Sequence, residues 1–412
     1  MAKKKNEDDL VEETETEFKF EESNEDIEER AVYSLGFRNL NTIIGFIECD
    51  EETGEIVQTV RGMLSGSLVS YIGRSGTGKT TLACQNMCQA VRPFVREKNE
   101  KVKIHIVSNE KGITRSRFKT ISNFVNEEMK RHVIFHAESS IEFLNKLTKS
   151  IIDEKKNMKK IKAKSYTGKD IEMYPPTFLF IDAWSELLPE NLSEEEKADQ
   201  KMMYFTQARL LDQYIKKFKN LFAPYNINVF AIAHMSKRHN LDNPMVRLSR
   251  EFKAIPADEK INGGKNFLYH TDIGVFIYKI VADSPETMEK KSLKYLEGQN
   301  IMLAKLWKSR QSRDNVSFRL VSDENGFNPL KSFVYECADL KILESSGPYK
   351  KIRGTDIKVK SSQLMQTFVS DETFRNKLFE EFDKEYDYIF KAGRIGAKER
   401  KQNLEILDML DS

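Results

Sequence analysis

Residues 73–80 read Gly73-Arg74-Ser75-Gly76-Thr77-Gly78-Lys79-Thr80, set between an apolar run (SLVSYI) and an amphipathic stretch (TTLACQNMCQAV). In that context a glycine-rich turn dictates strand, tight loop and helix in succession, because glycine admits backbone conformations that a Cβ obstructs. The turn gathers backbone N–H groups at the start of a helix, where partial positive charge favours an anion. Phosphate oxygens satisfy that arrangement. Lys79 is placed for the β- and γ-phosphates of a nucleoside triphosphate, Thr80 offers its hydroxyl to Mg²⁺, and Thr81 adjoins the same cradle. A glycine turn without a ligand is the competing reading, and the flanking strand and helix argue against it.

Beyond the loop, β-branched runs alternate with helical periodicity, which predicts the α/β class with a mostly parallel twisted sheet flanked by helices. The expected strands are 67–72, 102–108, 132–137, 177–182, 227–234, 273–280, 301–307 and 316–321, with helices over 80–95, 114–131, 140–154 and 199–223. The last four strands follow without a long helix between them, so that edge of the sheet is expected to be antiparallel or mixed. After Asn325-Gly326 the pattern changes to a helix over 329–343, a turn at Gly347-Pro348, a polar hairpin to Lys360, and helices over 371–391 and 398–409.

The chain has 412 residues and a net charge of +2, but residues 1–30 carry 13 acids against five bases, leaving 61 bases and 51 acids in residues 31–412. The first segment cannot offset its chain entropy and is expected to be a disordered acidic tail, either merely solubilising or competing with a nucleic acid for the basic body. Residues 155–169 hold seven lysines before an apolar strand and predict an exposed basic hairpin, solvated or DNA-facing. Cys49, Cys84, Cys88 and Cys337 form no metal-spaced cluster and fit inert thiols in a reducing cytosol. No stretch has the length or apolarity of a membrane span or signal peptide, so neither secretion nor membrane insertion is expected.

Three further residues belong with the phosphate loop. Asp182 ends the apolar strand FLFID and suits the waters of a Mg²⁺ ion. Glu110 ends VKIHIVSNE, where it can orient a water for hydrolysis or instead cap the next helix. His234 closes the strand 227–234 and reads either as a γ-phosphate sensor or as a satisfied buried histidine. Ligands of parallel sheets bind off the carboxyl ends of the strands, where Ser75, Glu110 and Asp182 would meet.

In order, the segments GRSGTGKT, NEKGIT, FLFIDAWSEL, AIAHMSK, INGGKNFLYHTD and KLWKSR resemble the RecA superfamily, most closely the bacteriophage UvsX-type recombinases, from about residue 60 to residue 390. The resemblance implies a linker or protomer-contact segment over 31–62, a RecA-like ATPase core over 63–330 and a small α+β C-terminal domain over 331–412. It implies an enzyme that hydrolyses ATP with Mg²⁺ when bound to DNA, forms helical filaments on single strands, and pairs and exchanges them with duplex DNA in recombination and repair. Glu110 would be catalytic beside Lys79 and His234. ATP would sit between adjacent subunits, with Lys308 and Arg310 of one reaching the γ-phosphate of the other, a cation supplied in trans. Arg117 occupies the place of an adenine-stacking side chain.

The DNA loop would be 237–264, with Lys237, Arg238, Arg247, Arg250 and Lys253 on backbone phosphates and Gly263 and Gly264 at its far end. The loop over 185–199 is acidic and is assigned no such role, and Trp184 and Trp307 are expected to be packed. The same resemblance implies a single-strand-binding protein and a recombination mediator as partners, in the cytoplasm of a bacterial host. A hexameric replicative helicase of the DnaB type shares the core and the trans Lys-x-Arg, but roughly 60 residues before the phosphate loop leave no room for its helical N-terminal domain. A regulatory RecA-type ATPase that does not bind DNA is the third reading.

Overall fold

The computed structural model describes residues 29–49, 56–110, 112–193, 195–196, 199–237, 252–279 and 300–391. The acidic tail before Glu29, Arg238, Arg247, Arg250 and the expected helix over 398–409 lie outside these residues.

A short helix α1 (Arg38–Ile44) precedes the phosphate-loop unit, which consists of β1 (Leu68–Gly73) and α2 (Lys79–Arg96). Then come β2 (Lys103–Ser108), α3 (Arg115–Ser122), α4 (Asn126–His132), β3 (Val133–His136), α5 (Ile141–Lys156), β4 (Thr177–Asp182) and α6 (Gln200–Phe222). The sheet continues with β5 (Ile227–Lys237), β6 (Glu259–Ile261), a short helix α7 (Lys265–His270), β7 (Ile273–Lys279), β8 (Asn300–Ser309) and β9 (Ser317–Asp323). These strands, with Gly326–Phe327 beyond β9, form one ten-stranded sheet in the order β9-β8-β7-β1-β5-β4-β2-β3, and β6 pairs with the end of β5.

From β7 through β3 every neighbouring pair is parallel, whereas β7 with β8 and β8 with β9 are antiparallel. The expected mixed edge is therefore real but begins one strand later than the sequence implied. β5 lies inside the parallel part, between β1 and β4. The expected helix over 114–131 is two helices, because Asn123 takes a left-handed φ of 55° and ends α3.

Alternation along the strands builds two cores, one on each face. Phe178 and Phe180 join Tyr71, Ile104, Ile106 and Phe230 under α2, while Leu179 and Ile181 join Val229 and Ala231 under α5 and α6. Trp184 and Trp307 are both buried in the second core, as expected of packed side chains. The buried thiols Cys84, Cys88 and Cys337 sit in the first.

The C-terminal part contains α8 (Pro329–Asp339), which ends earlier than the expected 343, because Leu343–Ser346 opens a three-stranded antiparallel sheet with Tyr349–Ile352 and Lys358–Lys360. Helices α9 (Leu364–Ser370) and α10 (Glu372–Lys391) follow. Phe333, Phe382 and Tyr386 share the first core, and Arg38 of α1 reaches Asp383 of α10 at 2.6 Å.

The lysine-rich stretch does form a hairpin, Ile161–Lys164 with Asp170–Met173. It precedes the amino end of β4, so it lies at the opposite end of the sheet from the phosphate loop. Several of its lysines are committed locally: Lys164 to Asp170 at 2.7 Å, Lys169 to Glu29 at 3.1 Å, and the buried Lys155 to the carbonyl of Pro175.

Candidate nucleotide site

The carboxyl ends of β1, β2, β4 and β5 bring Gly73, Glu110, Asp182 and His234 to one edge of the sheet. Gly73 has φ 152°, and a Cβ there would lie 2.4 Å from the carbonyl oxygen of Ile277, so only glycine fits where the chain leaves the strand. Gly76 and Gly78 follow with φ of 76° and 78°, and Thr77 is buried with its hydroxyl donating to the Arg74 carbonyl at 2.9 Å. Ser75 and Gly76 are exposed at the rim.

Lys79 opens α2 with its ammonium buried and donating to the same Arg74 carbonyl at 2.9 Å. Burial lowers its pKa, and the nearby carboxylates of Glu110 and Asp182 oppose that shift. A buried ammonium between two acids is well placed to pair with phosphate charge.

Asp182 is buried, and its carboxyl is pushed up to about 6 by burial first and by the charge of Glu110 second. The Thr80 hydroxyl donates to its Oδ1 at 3.5 Å, while Oδ2 is buried with no hydrogen-bond partner among the described residues. An orphaned carboxylate oxygen beside a threonine hydroxyl is a hard oxygen donor set, and it fits Mg²⁺. Thr80 and Asp182 would hold that ion, directly or through its waters.

Glu110 and His234 are brought into contact, Nε2 of the imidazole sharing a hydrogen bond with Oε1 of the carboxylate. The backbone N–H of His234 donates to Ser185 Oγ at 3.1 Å. Past His234, β5 pairs with β6, and the Asn262 N–H donates to the His234 carbonyl at 2.9 Å. His234 thus touches Glu110 through its side chain while its backbone holds the returning end of the 237–264 segment.

Arg117 reaches back across α2, donating to Thr81 Oγ1 at 3.2 Å and to the Gly112 carbonyl at 3.0 Å, so its guanidinium stands at the outer side of the cradle. Sequence reasoning missed Asn109. Its side chain accepts from the N–H of Ala183 at 2.8 Å and its own N–H donates to the Asp182 carbonyl at 3.0 Å, so it fixes the backbone that carries Asp182. Its position next to Glu110 was the only available signal.

Lys308 and Arg310 lie elsewhere. Antiparallel pairing puts Lys308 opposite Gly274, which pairs with Ser70 at the amino half of β1, and the Arg310 N–H bonds to the Asp272 carbonyl. Ser70 is three residues from Gly73, roughly 10 Å along the sheet, and Leu68, whose carbonyl accepts from the Asp272 N–H, is five residues away, roughly 17 Å. Both cations turn to the last carbonyls of α7: Lys308 Nζ donates to Leu268 at 2.6 Å, and Arg310 Nη2 to Tyr269 at 2.7 Å. A helix C-terminus favours such charges. Burial first, and then Arg310, pulls the Lys308 pKa down to about 8. A β-bulge sets their direction, because β8 has one extra residue, Trp307, opposite the Gly274–Val275 step.

The 237–264 segment is more ordered at its ends than its lack of periodicity suggests. Met235–Lys237 and Glu259–Ile261 form an antiparallel ribbon, and Gly263 and Gly264 have φ of 130° and 89°. A Cβ at Gly263 would sit 2.7 Å from Trp184. Lys237 and Lys253 are exposed. On the far side of Glu110, an open cleft of about 790 Å³ is lined by Asn109, Glu138, Lys146, Glu186 and Glu190. Its acidic lining does not suit a polyanion.

The sheet, the glycine loop with its buried lysine and the strand-end carboxylates define a P-loop ATPase core of RecA-like architecture, a nucleotide-binding and nucleotide-hydrolysing unit. Residues 46–240 match a family described as AAA domain, a span that contains the phosphate loop, Glu110, Asp182 and His234. No curated protein matches the chain. Among the described residues no helix is long and apolar enough to cross a membrane.

Proposed function

We infer that this chain is an ATP-dependent DNA recombinase, which assembles on single-stranded DNA and pairs it with homologous duplex. One observation carries the reading: the two cations expected at the γ-phosphate stand at the opposite end of the sheet from this chain's own phosphate loop. Cations so placed can serve a nucleotide only in a neighbouring copy, and hydrolysis then depends on assembly along a track. The exposed Lys237 and Lys253, flanking Arg238, Arg247 and Arg250, supply sequence-independent phosphate contacts for that track.

In this reading Thr80 and Asp182 would hold Mg²⁺, which would supply charge against the phosphates, Lys79 binds the terminal phosphates, and Glu110 orients water. His234 relays the state of the site to the DNA segment. Electron microscopy of the protein with ATP and single-stranded DNA tests the proposal. Open helical filaments, together with homologous strand exchange in solution, are expected. Closed rings that unwind forks would favour the helicase, and monomers with turnover indifferent to DNA would favour a regulatory ATPase.

A further inference from the structure

The phosphate loop is tied to the 252–264 segment by one ion pair. Arg74 donates through Nε to Glu259 Oε1 at 2.7 Å and through Nη2 to the same oxygen. The two partners are unlike: the Arg74 side chain is 69% exposed and that of Glu259 is 4% exposed. A carboxylate that has lost its water depends on its cation, whereas the exposed guanidinium does not depend on the carboxylate. Around the pair lies a cavity of about 560 Å³, lined by Ser75, Lys253, Pro256, Phe276 and Lys305 as well as the two partners. The contact therefore spans open space, and breaking it disturbs no packed core.

Arg74 has a second attachment. Its carbonyl accepts from the Lys79 ammonium and the Thr77 hydroxyl, both at 2.9 Å. A triphosphate competes for that ammonium, and the Arg74 backbone then loses its charged donor. Glu259 in turn begins β6, whose pairing with Met235–Lys237 closes the segment.

We propose that Arg74 and Glu259 form a latch that reports occupancy of the phosphate loop to the 252–264 segment. Triphosphate draws Lys79 off the Arg74 carbonyl, Arg74 shifts, and the grip on Glu259 and β6 changes. Arg74 and Glu259 are positioning residues in this scheme, and the latch shares no residue with the contact between Glu110 and His234. The proposal rests on nucleotide binding by the phosphate loop and not on the DNA reading.

Both tryptophans of the chain report on this segment. The Trp184 Nε1–H donates to the Gly263 carbonyl at 2.9 Å, and Trp307 lies 4.7 Å from Phe252, ring centroid to ring centroid. The test is tryptophan emission of the full chain titrated with Mg²⁺ and a non-hydrolysable ATP analogue, without DNA, beside a separate measurement of analogue affinity. Wild type is expected to change emission on binding. Glu259→Gln keeps the shape but removes the charge, and is expected to lose that change while retaining analogue affinity. The charge swap Arg74→Glu with Glu259→Arg, at saturating analogue, is expected to restore it. A Glu259→Gln protein that responds like wild type overturns the latch, as does a swap that stays silent. Because DNA is absent, a chain that fails to exchange strands can still pass this test.

Discussion

The two ends of the central sheet carry unlike sets of charged groups. At the carboxyl end, Lys79, Glu110, Asp182 and His234 gather, Glu110 touches His234, and burial lowers the pKa of Lys79 and raises that of Asp182. At the amino end, Lys308 and Arg310 sit on the carbonyls of α7, away from the phosphate loop of their own chain. The first end gathers the nucleotide cradle, and on the proposed assembly the second would serve the cradle of another copy. On that proposal the fold is finished while its active site remains divided between molecules.

The most direct way to break this comparison is Lys308→Ala. DNA-stimulated hydrolysis should fall by about 10³-fold, the scale of a missing trans cation, with nucleotide binding intact. Mixing that variant with Lys79→Ala sharpens the point. Each supplies what the other lacks, so steady-state turnover of the mixture should exceed that of either alone, and a mixture no faster than its parts would leave the sheet ends unconnected. Lys79→Ala alone should weaken triphosphate binding by roughly a hundredfold, the loss of a buried charge-assisted contact, as read by equilibrium titration.

The smallest expected effect concerns the C-terminal part. Glu336 is 4% exposed and accepts from Tyr386 at 2.9 Å and from the Arg319 N–H at 2.5 Å. Burial nevertheless pushes its carboxyl up from 4.5 to about 7. The folded form binds the proton more tightly than the unfolded form, so this contribution is full below pH 4.5 and is lost as pH rises through 7. Its ceiling is on the order of 3 kcal/mol. Thermal unfolding of wild type should therefore show a lower midpoint at pH 8 than at pH 5.5, and Glu336→Gln should flatten that slope.

Much of this was legible in the residue order, for a physical reason. Strands such as FLFID and SLVSYI are buried on both faces, and a run of large apolar side chains has few other places to go. Motif and context together located the cradle, Asp182 and Glu110. The break at Asn123 was harder to see, since asparagine tolerates a helix interior and a left-handed end alike. The pairing of Arg74 with Glu259 joins residues 185 positions apart, and no local pattern marks either as the other's partner. Likewise the end of the sheet that Lys308 occupies follows from the antiparallel turn of β8 against β7, a property of topology and not of the segment KLWKSR.

The bulge opposite Gly274 has a consequence of its own. An unbroken pleat hands consecutive side chains to opposite faces, yet here Trp307 is buried in the core under α7 and Lys308, the very next residue, reaches the carbonyls of the same helix. The indole is the anchor and the ammonium its cargo. A Cβ on Gly274 would lie 2.2 Å from the indole, so the ring as placed leaves room only for glycine there. The heading of the cation is thus written in a glycine one strand away.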